Sequence, residues 1–181
     1  MKKAIVITII LVLIVGVGGG VWLKTRLDAQ AAAGVTQEQK KQEQPKSKYD
    51  VGPPDAQEIL ELVNQERQRV GVKLLEVDPR INTSAQEKAD DMVNRNYRDH
   101  VSPEGIHGYE LVFKHTGGEC RRAGENLAWR TNNTVGTTRD AFNWWMNSKP
   151  HREAIQNPKY TKTGIAIGSD NQVVVQHFCQ P

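Results

Sequence analysis

The sequence lacks most of the short motifs that would name a reaction. It holds two cysteines in 181 residues, Cys120 and Cys179, so it has neither a CxxC redox pair nor a four-cysteine zinc site. It contains no HExxH segment to seat a catalytic zinc and no GxSxG elbow for a serine nucleophile. Ser102 and Ser148 lie near histidines in sequence, but a serine and a histidine without an orienting third group do not make a triad. No internal repeat is present. Basic charge is missing where nucleic acid would need it. The chain carries net +3, yet from Asp50 onward 16 Lys and Arg face 18 Asp and Glu, a balance of −2. The excess lies in the N-terminal tail, and Arg121-Arg122 is an isolated pair, so nucleic acid is set aside as a partner.

What is present begins with an apolar segment. Residues Ala4 to Leu23 are uncharged, and about twenty helical residues span roughly 30 Å, one bilayer core. Two readings are open. A cleaved signal peptide would use "AQA", Ala29 to Ala31, as its cleavage site. An uncleaved single-pass helix would anchor the chain in the cell membrane. A signal peptide's apolar region runs to about 7–15 residues; this one is longer, and Lys24, Arg26 and Asp28 separate it from "AQA". The length favours the anchor, with secretion after cleavage as the alternative. An even cysteine pair behind an export segment predicts a Cys120–Cys179 disulfide and an extracytoplasmic domain. The other reading is two buried thiols that never meet.

Composition divides the chain into a membrane segment over 1–23, a linker over 24–54 and a domain over 55–181. The Gln- and Lys-rich linker has almost no large apolar residue and cannot bury enough surface to fold alone. Helix signals follow. Asp55 with Glu58 opens a first helix ending near Gly71. Asp78-Pro79 opens a second, with Ile81, Ala85, Ala89, Met92 and Val93 as its stripe. A short third covers Tyr109 to Lys114. A fourth aligns Val135, Phe142, Trp145 and Met146. A fifth starts at Ser148, read as its cap, and stops at Asn157-Pro158. "KTGIAIG" and "VVVQHFC" around "SDNQ" predict a hairpin of buried strands, and "NLAWR" a third strand. The class is α+β, with helices on both faces of a small, mostly antiparallel sheet.

"NQER", "DHVSP", "GENLAW", "WMNSKPHR" and "NPKYTKTGIAIG", in this order over Asn64 to Gly168, together resemble the CAP superfamily. This superfamily includes cysteine-rich secretory proteins, venom antigens and plant pathogenesis-related proteins, and the match is closest to its short bacterial branch. The resemblance implies an α-β-α sandwich with a cleft lined by two histidines and two glutamates. His100, Glu125 and His151 match three of the four. Ser148 stands where the second glutamate would be, so Asn147 and Ser148 offer oxygens but no carboxylate. Asn64 and Arg67 match the first-helix motif and are expected to make structural hydrogen bonds.

Two imidazoles and a carboxylate also form a ligand set for a divalent metal such as zinc, although no motif fixes a cofactor. Each residue has a plainer reading. His100 could serve a helix end as a cation. Glu125 could accept backbone N–H groups in a turn. His151, in a first helical turn, is badly placed for a charged cap and better suited to a neutral partner. His107, His115 and His177 read as surface or strand residues. Three functions follow: a tethered module binding a metal, lipid or cell-envelope ligand; a structural or adhesion domain; and a metal-assisted hydrolase of envelope peptide or polysaccharide.

Overall fold

The computed structural model describes residues 47–130 and 136–181. The expected membrane segment lies outside the described residues, and among these no helix is long and apolar enough to cross a membrane.

Five helices and four strands follow in the order α1 (Ala56–Arg69), β1 (Glu76–Val77), α2 (Pro79–Asn94), α3 (Gly108–Thr116), β2 (Arg122–Trp129), α4 (Thr138–Asn147), α5 (Lys149–Gln156), β3 (Lys162–Ile167) and β4 (Val173–Gln180). The starts are set by side-chain caps that satisfy free backbone N–H groups. Asp55 accepts from Glu58 N at 2.9 Å, Asp78 from Arg80 N at 2.9 Å and Thr137 from Asp140 N at 3.2 Å. Ser148 does not cap α5 with its hydroxyl; Pro150, fixed in φ, starts that helix instead. Gly117 ends α3 in the left-handed region at φ 62°.

The sheet order is β1-β3-β4-β2, with β1 parallel to β3 and the rest antiparallel. It is therefore mixed. β1 went unread because it is two exposed residues long and has no pattern of its own. The central strand β4 is buried on both faces. Val173 and Val175 pack with Ala85, Ala89 and Met92 of α2. Val174 and Phe178 pack with Ile59 and Val63 of α1, Trp145 of α4 and Ile155 of α5. Burying each such side chain stabilises by about 1.5–3 kcal/mol. Alternate residues of one strand thus serve two helical layers, which makes the α-β-α sandwich.

Two anchors hold the layers together. A Cβ on Gly164 would lie 2.2 Å from the carbonyl carbon of Ile81, so β3 meets the first turn of α2 at backbone distance. The Cys120–Cys179 disulfide is formed, with Cα atoms 5.5 Å apart across 59 residues; a closed loop of that length stabilises by about 4 kcal/mol in the chain-entropy view. At the domain's start, Lys48–Asp50 forms a 3-10 turn, and Lys48 and Tyr49 both reach Glu61 of α1. Ordered contacts therefore begin within the stretch that composition assigned to the linker.

Candidate functional site

Glu125 of β2 and His177 of β4 are directly opposite in register. They share the sheet face of Leu127, Val173 and Val175, which looks onto α2. His177 is fully buried and Glu125 has a side chain 2% exposed, whereas His100, on the loop after α2, is 47% exposed. A chain of hydrogen bonds runs outward through these groups. Ser84 Oγ of α2 lies 2.8 Å from the Ile81 carbonyl and 2.8 Å from His177 Nδ1, so its hydroxyl joins the histidine to the first turn of α2. His177 Nε2 is 2.9 Å from Glu125 Oε2, and His100 Nδ1 is 2.6 Å from Glu125 Oε1.

Burial disfavours the charged form of Glu125, but hydrogen bonds from His100 and His177, with the nearby charge of Lys88, hold its carboxyl below its ordinary 4.5. An ionised Glu125 accepts on both oxygens. His177 therefore donates to it from Nε2 and His100 from Nδ1. A neutral His100 consequently presents its Nε2 lone pair, the orientation a carboxylate imposes on a working imidazole.

His151 stands on the first turn of α5, its ring centroid 6.1 Å from that of His100. Asn126 holds the backbone there by donating to the His151 carbonyl at 3.1 Å. Burial first, and then the neighbouring His100, keep His151 below its ordinary 6.5, against the pull of Glu125. Its Nδ1 is buried with no hydrogen-bond partner. An unpaired buried donor costs about 1–3 kcal/mol, so the hydrogen belongs on Nε2. The two imidazoles thus differ: His100 offers an acceptor, His151 a donor.

The same arrangement bears on the expected metal set of His100, Glu125 and His151. Among the described residues no group of three or more His, Cys, Asp or Glu is disposed to hold a metal ion. The physical reason is plain. Both oxygens of Glu125 are taken by imidazoles, and ligation through His151 Nε2 would move its hydrogen to the unpartnered Nδ1. The residues present do not fit a resident three-ligand metal. Asn147 is exposed and Ser148 half-buried, and neither side chain bonds to His100, Glu125 or His151.

The structure brings His100 and Glu125 into contact with His151 beside them, and adds His177, which the sequence offers only as a surface or strand residue. Its signal was a histidine inside a strand buried on both faces, where an ionisable group needs a partner. Ser84 and Gly108 carried no signal. A Cβ on Gly108, the first residue of α3, would meet Glu125 Oε2 at 1.7 Å, so the carboxylate occupies the space that glycine leaves.

Comparison with known proteins agrees with this frame. The model of the cysteine-rich secretory protein family, CAP, matches residues 60–180. Two proteins of Bacillus subtilis are similar: the uncharacterized protein YkwD, 35% identical over 120 residues (66% of this chain, 45% of that protein), and the uncharacterized membrane protein YlbC, 34% identical over 122 residues (67% and 33%). The chain spans less than half the length of either relative. A crystal structure of an extracellular SCP-domain protein from Bacillus anthracis superposes with TM-score 0.62 at 26% identity, covering 70% of this chain and 40% of that one. An outer surface protein of Borrelia burgdorferi shares the fold, with TM-score 0.60 at 21% identity over 68% and 90% of the two chains. On the family match and the sandwich built around Glu125, the chain belongs to the CAP, or cysteine-rich secretory protein, family.

Proposed function

We propose that this CAP domain is an extracytoplasmic recognition module, tethered through Ala4–Leu23, whose cleft binds a hydroxyl-bearing cell-envelope ligand between His100 and His151. One observation carries the reading. Glu125 is clamped by two imidazoles in a buried pocket, while the two cleft histidines hold opposite hydrogen-bonding roles. A hydroxyl group donates and accepts at once: it gives its hydrogen to His100 Nε2 and receives one from His151 Nε2. Glu125 strengthens the first bond by supporting charge on His100, and His177 with Ser84 keeps Glu125 in place. Sugars and hydroxyl-bearing peptides of the envelope have the matching chemistry.

The location rests on three supports. The disulfide fits an oxidising compartment. The Bacillus anthracis structure is described as an extracellular protein, and YlbC as a membrane protein. The apolar N-terminal segment has the length of a span.

The test is a titration of the full-length protein with soluble cell-envelope saccharide fragments, read by the imidazole nitrogen signals of His100 and His151. Saturable movement of both signals is expected, with the His151 movement lost in His100→Phe. Unmoved signals at saturating fragment, or movement that persists in His100→Phe, would leave the cleft without this role.

A further inference from the structure

The sheet has an open edge beside the cleft. In the order β1-β3-β4-β2, β2 is an outer strand. Arg130 N donates to Gln172 O at 2.8 Å, and Gly168 N to Val173 O at 2.8 Å. Along an antiparallel strand the main-chain groups of successive residues turn to opposite sides. The even-numbered residues of β4 therefore bond to β2 and the odd-numbered ones to β3. His177 thus turns its N–H and C=O toward Gly164 and away from Glu125, its register neighbour on β2. By the same alternation the N–H and C=O of Glu125 point outward, off the edge of the sheet. Among the described residues no hydrogen bond is made to either group.

Exposure agrees with this direction. Glu125 is half-buried as a residue, yet its side chain is only 2% exposed. What solvent reaches is its main chain. The edge is closed on both sides of it. Ala123 O accepts from Tyr160 Oη at 3.3 Å, and Leu127 is fully buried. An opening of one residue is too short to template a strand from a second copy. It lies at the foot of the cleft. His100 bonds to the Glu125 carboxylate on one face of the sheet, and His151 stands on α5, which packs against the other.

We propose that the cleft takes an extended peptide, one residue of which forms an antiparallel β-bridge with Glu125. That residue donates its N–H to Glu125 O and accepts from Glu125 N. The inference rests on the reading of the cleft as a recognition site, and narrows its ligand from hydroxyl-bearing envelope molecules to peptides. The match is geometric. The N–H and C=O of Glu125 flank one Cα and point the same way, and a residue of an extended chain presents the same two groups at the same spacing. The acetamido group of a sugar does not. Its N–H and C=O belong to one trans amide and point opposite ways, so only one of them can bond here. In the bridge, the peptide side chain opposite Glu125 falls on the Glu125 face of the sheet, where His100 stands. A serine or threonine at that position brings its hydroxyl to His100.

The test is a titration of nitrogen-labelled full-length protein with an acetylated, amidated pentapeptide, four alanines around a central serine. The Glu125 amide signal should move downfield and saturate. Methylating the serine nitrogen removes the donor of the bridge and should weaken binding about tenfold, the worth of one hydrogen bond. Methylating the nitrogen of the following alanine, whose N–H points away from the edge, should change binding less than about threefold. Equal weakening by the two methyl groups, an unmoved Glu125 amide, or no saturable binding at tens of millimolar would overturn the inference. If the imidazoles respond to saccharide fragments while the peptide leaves the Glu125 amide unmoved, the bridge falls and the recognition reading stands. If the peptide moves the Glu125 amide with the imidazoles silent, the bridge stands and the hydroxyl's role falls.

Discussion

Arg67 and Glu125 are both buried charges, yet the molecule uses them in opposite ways. Arg67 of α1 is fully buried and donates to four backbone carbonyls: Lys73 at 2.7 Å, Ile155 at 2.5 Å, Asn157 at 3.0 Å and Tyr160 at 2.8 Å. Its guanidinium ties α1, the end of α5 and the approach to β3 into one unit. Its partners are main-chain atoms that neither titrate nor turn. Glu125 has side-chain partners, two imidazoles that can gain, lose or redirect a hydrogen. A charge satisfied by backbone stitches a fold. A charge satisfied by titratable side chains, with one of them half-exposed, sets up chemistry at a surface. Lys88 stands between the two cases, buried like Arg67, with one backbone and one side-chain acceptor.

Removing Arg67 should have the largest effect. Arg67→Met leaves four carbonyls without their donor, and each buried acceptor left unpaired costs about 1–3 kcal/mol. Denaturant unfolding should show this with no change in the cleft histidine signals of the folded fraction. A loss under about 1 kcal/mol, the size of an ordinary surface change, would erase the contrast.

Next in size is Glu125→Gln. The amide keeps the shape but offers a single acceptor to two imidazoles, so a buried donor is left unpaired at about 1–3 kcal/mol. Unlike the Arg67 change, this one should abolish the ligand response of His100. A variant that unfolds more easily yet binds unchanged would make Glu125 another structural anchor. Gly108→Ala should behave as a milder version, since its methyl displaces the carboxylate; an overpacked contact costs about 1–3 kcal/mol. Full ligand response in that variant would show that the carboxylate's position does not matter.

The smallest effect is in pH. His151 and Glu125 both titrate below their ordinary values of 6.5 and 4.5 in the folded protein. In both cases the unfolded chain binds protons first, so the related stability is complete above the ordinary value and is lost as pH falls through the folded one. Unfolding free energy should therefore drop in a window beginning near 6.5 and again in one beginning near 4.5. His151→Asn should flatten the first window, and Glu125→Gln should shrink the second, to which Glu66, Asp78, Glu87 and Asp91 also contribute. A first window that survives in His151→Asn would assign it to another group.

Much of the frame was readable in advance. Asp55 and Asp78 carry local cap chemistry, and β4 is a mostly apolar run preceded by turn residues, so local signals placed them; Val135, expected on the fourth helix, lies outside the described residues. Family motifs, rather than spacing, paired His100 with Glu125. The rest was hidden for physical reasons. The first half of β2, Arg122 to Glu125, has no apolar alternation because its side chains meet solvent and the site rather than the core. His177 looked inert because its meaning comes from Ser84 and Glu125, distant in sequence and adjacent after folding. Lys88 could have been flagged: it lies three residues after Ala85, on the helix face that the apolar stripe marks as buried.

The most direct test of the account is the protonation of the three histidines, read from imidazole nitrogen chemical shifts of the full-length protein near neutral pH. The account predicts hydrogen on Nε2 of His177, on Nδ1 of His100 and on Nε2 of His151. A His177 without hydrogen on Nε2, or His100 protonated on Nε2 alone, would contradict the ionised clamp at Glu125 and the opposed roles built on it.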